Sequence, residues 1–73
     1  MGIREFIEQN NLIANQSVIS LVADNVEATV YFRNFDSESG LFYFSYEPDT
    51  DNVAIGTKTI TSIRIDGGAS WSK

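Results

Sequence analysis

Residues 26–47, VEATVYFRNFDSESGLFYFSYE, constrain this chain more than any other stretch. Two runs rich in β-branched and aromatic residues flank Asp36-Ser37-Glu38-Ser39-Gly40, a polar cluster ending in glycine. That pattern predicts a β-hairpin around a type I turn, with Gly40 at the φ > 0 position that lets the strands close. Placing Phe35 opposite Leu41 sets Arg33 against Tyr43, Phe32 against Phe44 and Val30 against Tyr46. Side chains alternate between the faces of a strand, so each run sorts into two sets. One set holds Val26, Ala28, Val30, Phe32, Phe42, Phe44 and Tyr46, with Asn34 as its polar exception. The other holds Glu27, Thr29, Tyr31, Arg33, Phe35, Leu41, Tyr43, Ser45 and Glu47. Burying a phenylalanine contributes roughly 1.5–3 kcal/mol. The first set is therefore expected to face the core and the second to face outward. A slip of one residue would exchange the sets, so the register is expected to be well specified.

The flanking segments extend this sheet. Ile3, Phe6 and Ile7 share one helical face, opposite Arg4, Glu5 and Glu8. A helix of two or three turns is expected there, ending at Asn10-Asn11. So short a helix needs the core face to lie on. Leu12 and Ile13 extend that contact. Residues 17–23 (SVISLVA) are ambiguous: Val18, Leu21 and Val22 suit a helix, whereas the β-branched content ahead of Asp24-Asn25, a two-residue hairpin turn, suits a strand, and the strand is preferred because its register agrees with the main hairpin. Pairing Ala23 with Val26 sets Leu21 against Ala28 and Ile19 against Val30. Pro48 stops the third strand, since proline cannot donate to a central ladder. Residues 53–55 are a short extra strand or an apolar loop on the core. Residues 57–66 (TKTITSIRID) read as the last strand. Within them Thr59, Thr61, Ile63 and Ile65 point inward, and Lys58, Ile60, Ser62 and Arg64 outward. Gly67-Gly68 ends the strand, and residues 67–73 form a flexible or clip-like tail. The expected fold is α+β: a short N-terminal helix on one face of a four-stranded, mainly antiparallel sheet, all in one domain.

With 73 residues, a domain of this size buries only about 60% of its unfolded surface, and oligomerisation is a common remedy. The absence of cysteine and histidine removes thiolate and imidazole ligands and the commonest general base. No glycine-rich phosphate loop precedes a helix. Asp49-x-Asp51 begins like an EF-hand loop but lacks its glycine and closing glutamate. No catalytic residue, metal site or cofactor is expected. Ten acidic against five basic residues give a net charge of −5. Direct nucleic-acid binding, which rests on neutralising phosphates, is disfavoured by that charge. A basic protein or a nucleic-acid-binding groove would be attracted by it. No apolar run is long enough to span a membrane, no secretory signal is visible, and Phe6 breaks the N-myristoylation pattern. The expected compartment is the cytoplasm.

Three features are candidates for function. The outer face gathers Tyr31, Arg33, Phe35, Leu41, Tyr43 and Arg64 with Val18, Val22, Lys58 and Ile60, and aromatic residues with arginine are the composition of interface hot spots. The competing reading is a second minor core, covered by the tail or by residues 53–55. Asp36, Glu38, Glu47, Asp49 and Asp51 are expected to form an acidic rim, against the simpler reading of solvated loops. Trp71 is either an anchor for a partner or a lid on an exposed sheet edge, the second being commoner.

In size, acidity and fold class the chain resembles small phage-encoded inhibitors of host nucleic-acid enzymes, such as anti-CRISPR proteins and the uracil-DNA glycosylase inhibitor. It shares no motif with them, so no residue role is carried over. The resemblance implies a viral protein that occludes a nucleic-acid-binding partner in the host cytoplasm. The alternative is a self-assembling module, a homodimer or ring that is structural or holds a small ligand between subunits.

Overall fold

The computed structural model describes residues 2–73; Met1 lies outside the described residues. Helix α1 spans Ile3–Gln9 and buries Phe6 and Ile7 of its apolar face. It ends where the Asn10 side chain donates to the Phe6 carbonyl at 2.8 Å and Asn11 turns left-handed at φ 49°. Leu12 packs against the core, whereas Ile13, expected beside it, is 55% exposed.

The strands are β1 (Val18–Ala23), β2 (Val26–Asp36), β3 (Leu41–Ser45), β4 (Val53–Gly56), β5 (Ile60–Ile65) and β6 (Ser70–Ser72). They form one antiparallel sheet in the order β4-β3-β2-β1-β5-β6. Among the described residues the sheet thus has six strands, not four. Residues 53–56 pair with β3, setting Val53 against Phe44 and Ile55 against Phe42. Residues 70–72 pair with β5 and set Trp71 against Ile63, reached through a tight turn with Gly67 at φ 71°. Both added strands follow from apolar alternation in short segments, one inward residue in β6 and two in β4, and β4 is the strand reading of residues 53–55.

The first hairpin has the expected register, with Ala23 on Val26, Leu21 on Ala28 and Ile19 on Val30. Elsewhere two β-bulges change the phase. In β2 the pairing moves from Phe32–Phe44 to Asn34–Tyr43, leaving Arg33 as the extra residue. Phe35 then pairs with Phe42, rather than Leu41, and packs against the core, while Asn34 is exposed. In β5 the pairing moves from Val22–Ser62 to Ala23–Ile60, leaving Thr61 as the extra residue. Ile60, expected outside, is 1% exposed, and Thr61, expected inside, faces solvent. One cause serves both corrections. A bulge reverses the alternation downstream of it, and each bulge exchanges a polar inward residue for a large apolar one.

The third departure is at the end of β3. The strand stops at Ser45, three residues before Pro48. Tyr46, expected opposite Val30, is 52% exposed, with its ring edge-on to Phe44 at 5.6 Å. Ser45 is buried, and its hydroxyl donates to the Glu47 carbonyl at 2.8 Å.

The sheet is rolled up. Gly56 ends β4 beside Leu41, and Ile60 opens β5 beside Ala23. In a flat sheet those positions would be separated by four strand spacings of about 4.8 Å and by some ten residues of β2 at about 3.3 Å each. The 3-10 turn Thr57–Thr59 that joins them reaches at most roughly 14 Å even when fully extended. Only a strongly coiled sheet closes that gap. The Thr57 N–H donates to the Gly40 carbonyl at 2.9 Å, and the Asp24 N–H donates to Thr59 at 3.1 Å. One short turn therefore ties together the loops at the two ends of β2, so β2 cannot be straight. Inside the coil lie Ile19, Leu21, Val30, Phe32, Phe42, Phe44, Ile60 and Ile63, joined by Phe6 and Ile7 of α1. Phe32 and Phe42 meet edge-on at 5.6 Å. The outer face is consequently convex.

Candidate interaction surface

The bulge at Arg33 decides which outer residues stay together. Tyr31 pairs with Ser45 and with Val18, and Tyr43 pairs with Asn34 and with Ala54. The two tyrosines are thereby diagonal neighbours on adjacent strands, with Leu41 two residues beyond Tyr43 on the same face. Diagonal neighbours are within reach of aromatic side chains. All three are half-buried. Arg33 is not the cross-strand partner of Tyr43, because it is the bulged residue. Its guanidinium instead donates to the Asn15 side-chain oxygen.

Asn15 holds three segments together. It is left-handed, with φ 65°, and its N–H donates to the Phe32 carbonyl at 2.9 Å. Its side-chain oxygen also accepts from the Asp49 N–H at 3.2 Å, and its side-chain nitrogen donates to the Asp49 carboxylate at 3.2 Å. Asp49 is itself left-handed, at φ 59°. The bulge, the segment before β1 and the β3–β4 loop are thus fastened at one point. Sequence reasoning missed this residue. Asparagine's tolerance of the left-handed region was the available signal, and it was read only at Asn10-Asn11.

A second row crosses the outer face. Thr29, Ser20, Arg64 and Ser70 are successive neighbours on β2, β1, β5 and β6. The Arg64 side chain is exposed and makes no hydrogen bond or ion pair among the described residues. It borders a concavity of about 310 Å³ with Val18, Ser20, Thr29 and Asp66. Glu27 and Val22 continue the face toward the first hairpin turn.

Three residues assigned to this surface by alternation, Phe35, Ile60 and Lys58, lie elsewhere, and Trp71 folds back onto the core face rather than swinging out as an anchor. Phe35 is on the core face beside Phe42, and Trp71 is half-buried on the core face opposite Ile63. Ile60 is in the core. Lys58 sits in the 3-10 turn rather than on a strand. Trp71, Val53, Ile55 and α1 all pack against the inside of the coil. The segments that would have made the outer face a second core are thus used on the other side.

The five acids do not form one rim. Asp36 and Glu38 lie at the β2–β3 turn, and Glu47, Asp49 and Asp51 lie in the β3–β4 loop. Successive turns of an antiparallel meander fall at opposite ends of the shared strand, here β3. Asp36 organises its own turn. Its carboxylate accepts from the Glu38 N–H at 3.0 Å, and the Gly40 N–H donates to its carbonyl at 2.8 Å. The Ser39 side chain, then the N–H groups of Glu38 and Ser39, hold this carboxyl below its ordinary value, slightly opposed by desolvation. Gly40 is left-handed at φ 74°, as expected from its position. Apart from Arg4–Glu8 on α1, no ion pair occurs among the described residues, so the negative charge is left almost unneutralised.

Among the described residues no group of three or more acidic side chains is placed to hold a metal ion. No helix among the described residues is long and apolar enough to cross a membrane. No protein-family model matches the chain, and no curated protein and no solved structure matches it.

Proposed function

We propose that this protein is a non-enzymatic interaction module that seats a basic protein partner on the convex outer face of its sheet. Tyr31, Tyr43 and Leu41 form the apolar centre of that surface, and Arg33, Asn34 and Arg64 lie around it. The observation that carries the reading is where the covering elements went. Trp71, β4 and α1 pack inside the coil, leaving the tyrosines and leucine of the outer face as the apolar surface with no element assigned to it. Aromatic side chains held on a rigid sheet dominate interfaces at low entropic cost. The convex shape suits a partner's groove, and a net charge of −5 draws a basic one. A groove that binds nucleic acid has both properties, so occlusion of such a partner is the most specific form of the proposal. The acids contribute as a diffuse field from both ends of β3 rather than as a single rim.

The test is Tyr31→Ser with Tyr43→Ser in one chain. The double variant is expected to melt cooperatively near the parent. It should fail to recover the basic proteins that the parent captures from its source cell. A folded variant that captures the same proteins would overturn the proposal. Light scattering on the parent detects the competing outcome, in which the same face joins two copies of this chain.

A further inference from the structure

A second site lies away from the convex face. Ile3 of α1, the 3-10 turn residues Thr57 and Lys58, Ile60 at the head of β5, and Trp71 and Lys73 at the end of the chain surround a cavity of about 390 Å³. The walls come from four separate elements, so the cavity exists only because β6 docks on β5 and α1 closes over the coil. Ligand pockets begin at about this size and combine an apolar lining with a few polar groups that fix orientation. Here the apolar lining is Ile3, Ile60 and Trp71, and the charged residues at its edge are Lys58 and Lys73. The Lys73 Nζ donates to the Lys58 carbonyl at 3.3 Å, which brings both lysines to one rim. The chain carries ten acidic and five basic residues, yet no Asp or Glu lines this cavity among the described residues. Two of the chain's five Lys and Arg residues, and none of its ten Asp and Glu, border this cleft among the described residues.

We infer that this cleft binds a small amphipathic monocarboxylate, its aliphatic or aromatic body against Trp71, Ile3 and Ile60 and its carboxylate between Lys58 and Lys73. The size of the cavity fits one small molecule, and the charge complementarity selects an anion over a neutral amphiphile. The site is independent of the tyrosine surface, which lies on the opposite face of the sheet.

Trp71 is the only tryptophan in the chain, so its emission reports on the site directly. Sodium octanoate titrated into the full chain should change that emission saturably. It should shift backbone amide resonances at Ile3, Thr57–Thr59 and residues 71–73. Octanol, with the same tail and no charge, should bind roughly tenfold more weakly, and Lys58→Gln with Lys73→Gln should lower octanoate to that level without moving the melt, the scale that two exposed ion pairs supply. Equal binding of octanoate and octanol by the parent overturns the inference, as does a change that does not saturate. Amide shifts confined to Tyr31 and Tyr43 would overturn it too. The octanoate–octanol comparison needs no variant, so a double mutant that fails to fold does not shield the proposal.

Discussion

Asp36 shows how much one side chain of this protein does locally. It is exposed, so it adds nothing to the core, but its oxygens tie down the backbone of the turn that sets the main hairpin. Its carboxyl is held below the ordinary value of 3.8 by hydrogen bonds made only in the folded chain. A depressed folded value means the contribution is present above the unfolded value and lost as pH falls through the folded one. Urea melts across the acid range should therefore show part of the stability disappearing below about pH 3.8. Asp36→Asn keeps one acceptor oxygen for the turn but cannot titrate. It should fold, and the loss on going from neutral to acidic pH should be smaller than in the parent. An identical acid limb in both proteins would mean that the turn does not depend on the carboxylate.

At the level of elements, the two bulges matter more than the strands they interrupt. Alternation read through Arg33 without a bulge puts Phe35 outside and Asn34 inside. One extra residue reverses both placements, and the Asn15 contact to Arg33 fastens the irregularity. The same logic moves Ile60 inward in β5. The two aromatics once expected to behave alike are thereby separated. Phe35→Ser should destabilise the chain by about 2–3 kcal/mol, below the 3–5 kcal/mol of a fully buried phenylalanine truncated to alanine because Phe35 is only half-buried. Tyr43→Ser should cost about 1 kcal/mol or less, the scale of a β-propensity change on an open face. Denaturant midpoints of the two single variants decide the matter. Equal costs would show that the bulge does not set which side chain is inside.

At the scale of the whole molecule, coiling divides the protein into an apolar interior and a convex acidic exterior. Nine of the ten acids lack an ion-pair partner among the described residues, Glu8 being the exception. Their field should act on encounter more than on the docked contact. Once a basic partner is identified, raising the ionic strength should slow association far more than it speeds dissociation. Binding kinetics over a salt series measure both rates. A flat association rate would leave the acids as solubilising charge alone.

Local chemistry in the chain was enough to read the helix, β2, β3 and the turn between Ala23 and Val26, while β1, whose residues also suit a helix, was preferred as a strand through its register with the main hairpin. Each local reading rests on neighbours in sequence: a 3.6-residue apolar spacing, a period-2 alternation, a turn of Asp24-Asn25, a glycine where φ is positive. The buried phenylalanines were legible for the same reason, since Phe32, Phe42 and Phe44 share one face when Phe32 pairs with Phe44, as it does. Of the candidate surface, Tyr31, Arg33, Leu41, Tyr43 and Arg64 were placed on the correct face, although Arg33 was given the wrong neighbour. Phe35 and Ile60 were not, Trp71 took its commoner lid reading rather than the anchor one, and the positions of all three depend on partners distant in the chain. A bulge is favoured only when the strand opposite rewards the shifted phase, as Phe42 rewards Phe35 and Ala23 accommodates Ile60. The edge strands β4 and β6 likewise became strands because β3 and β5 offered unpaired backbone groups to complete. The coil itself was settled last, by a three-residue turn too short to join β4 to β5 in any flatter sheet.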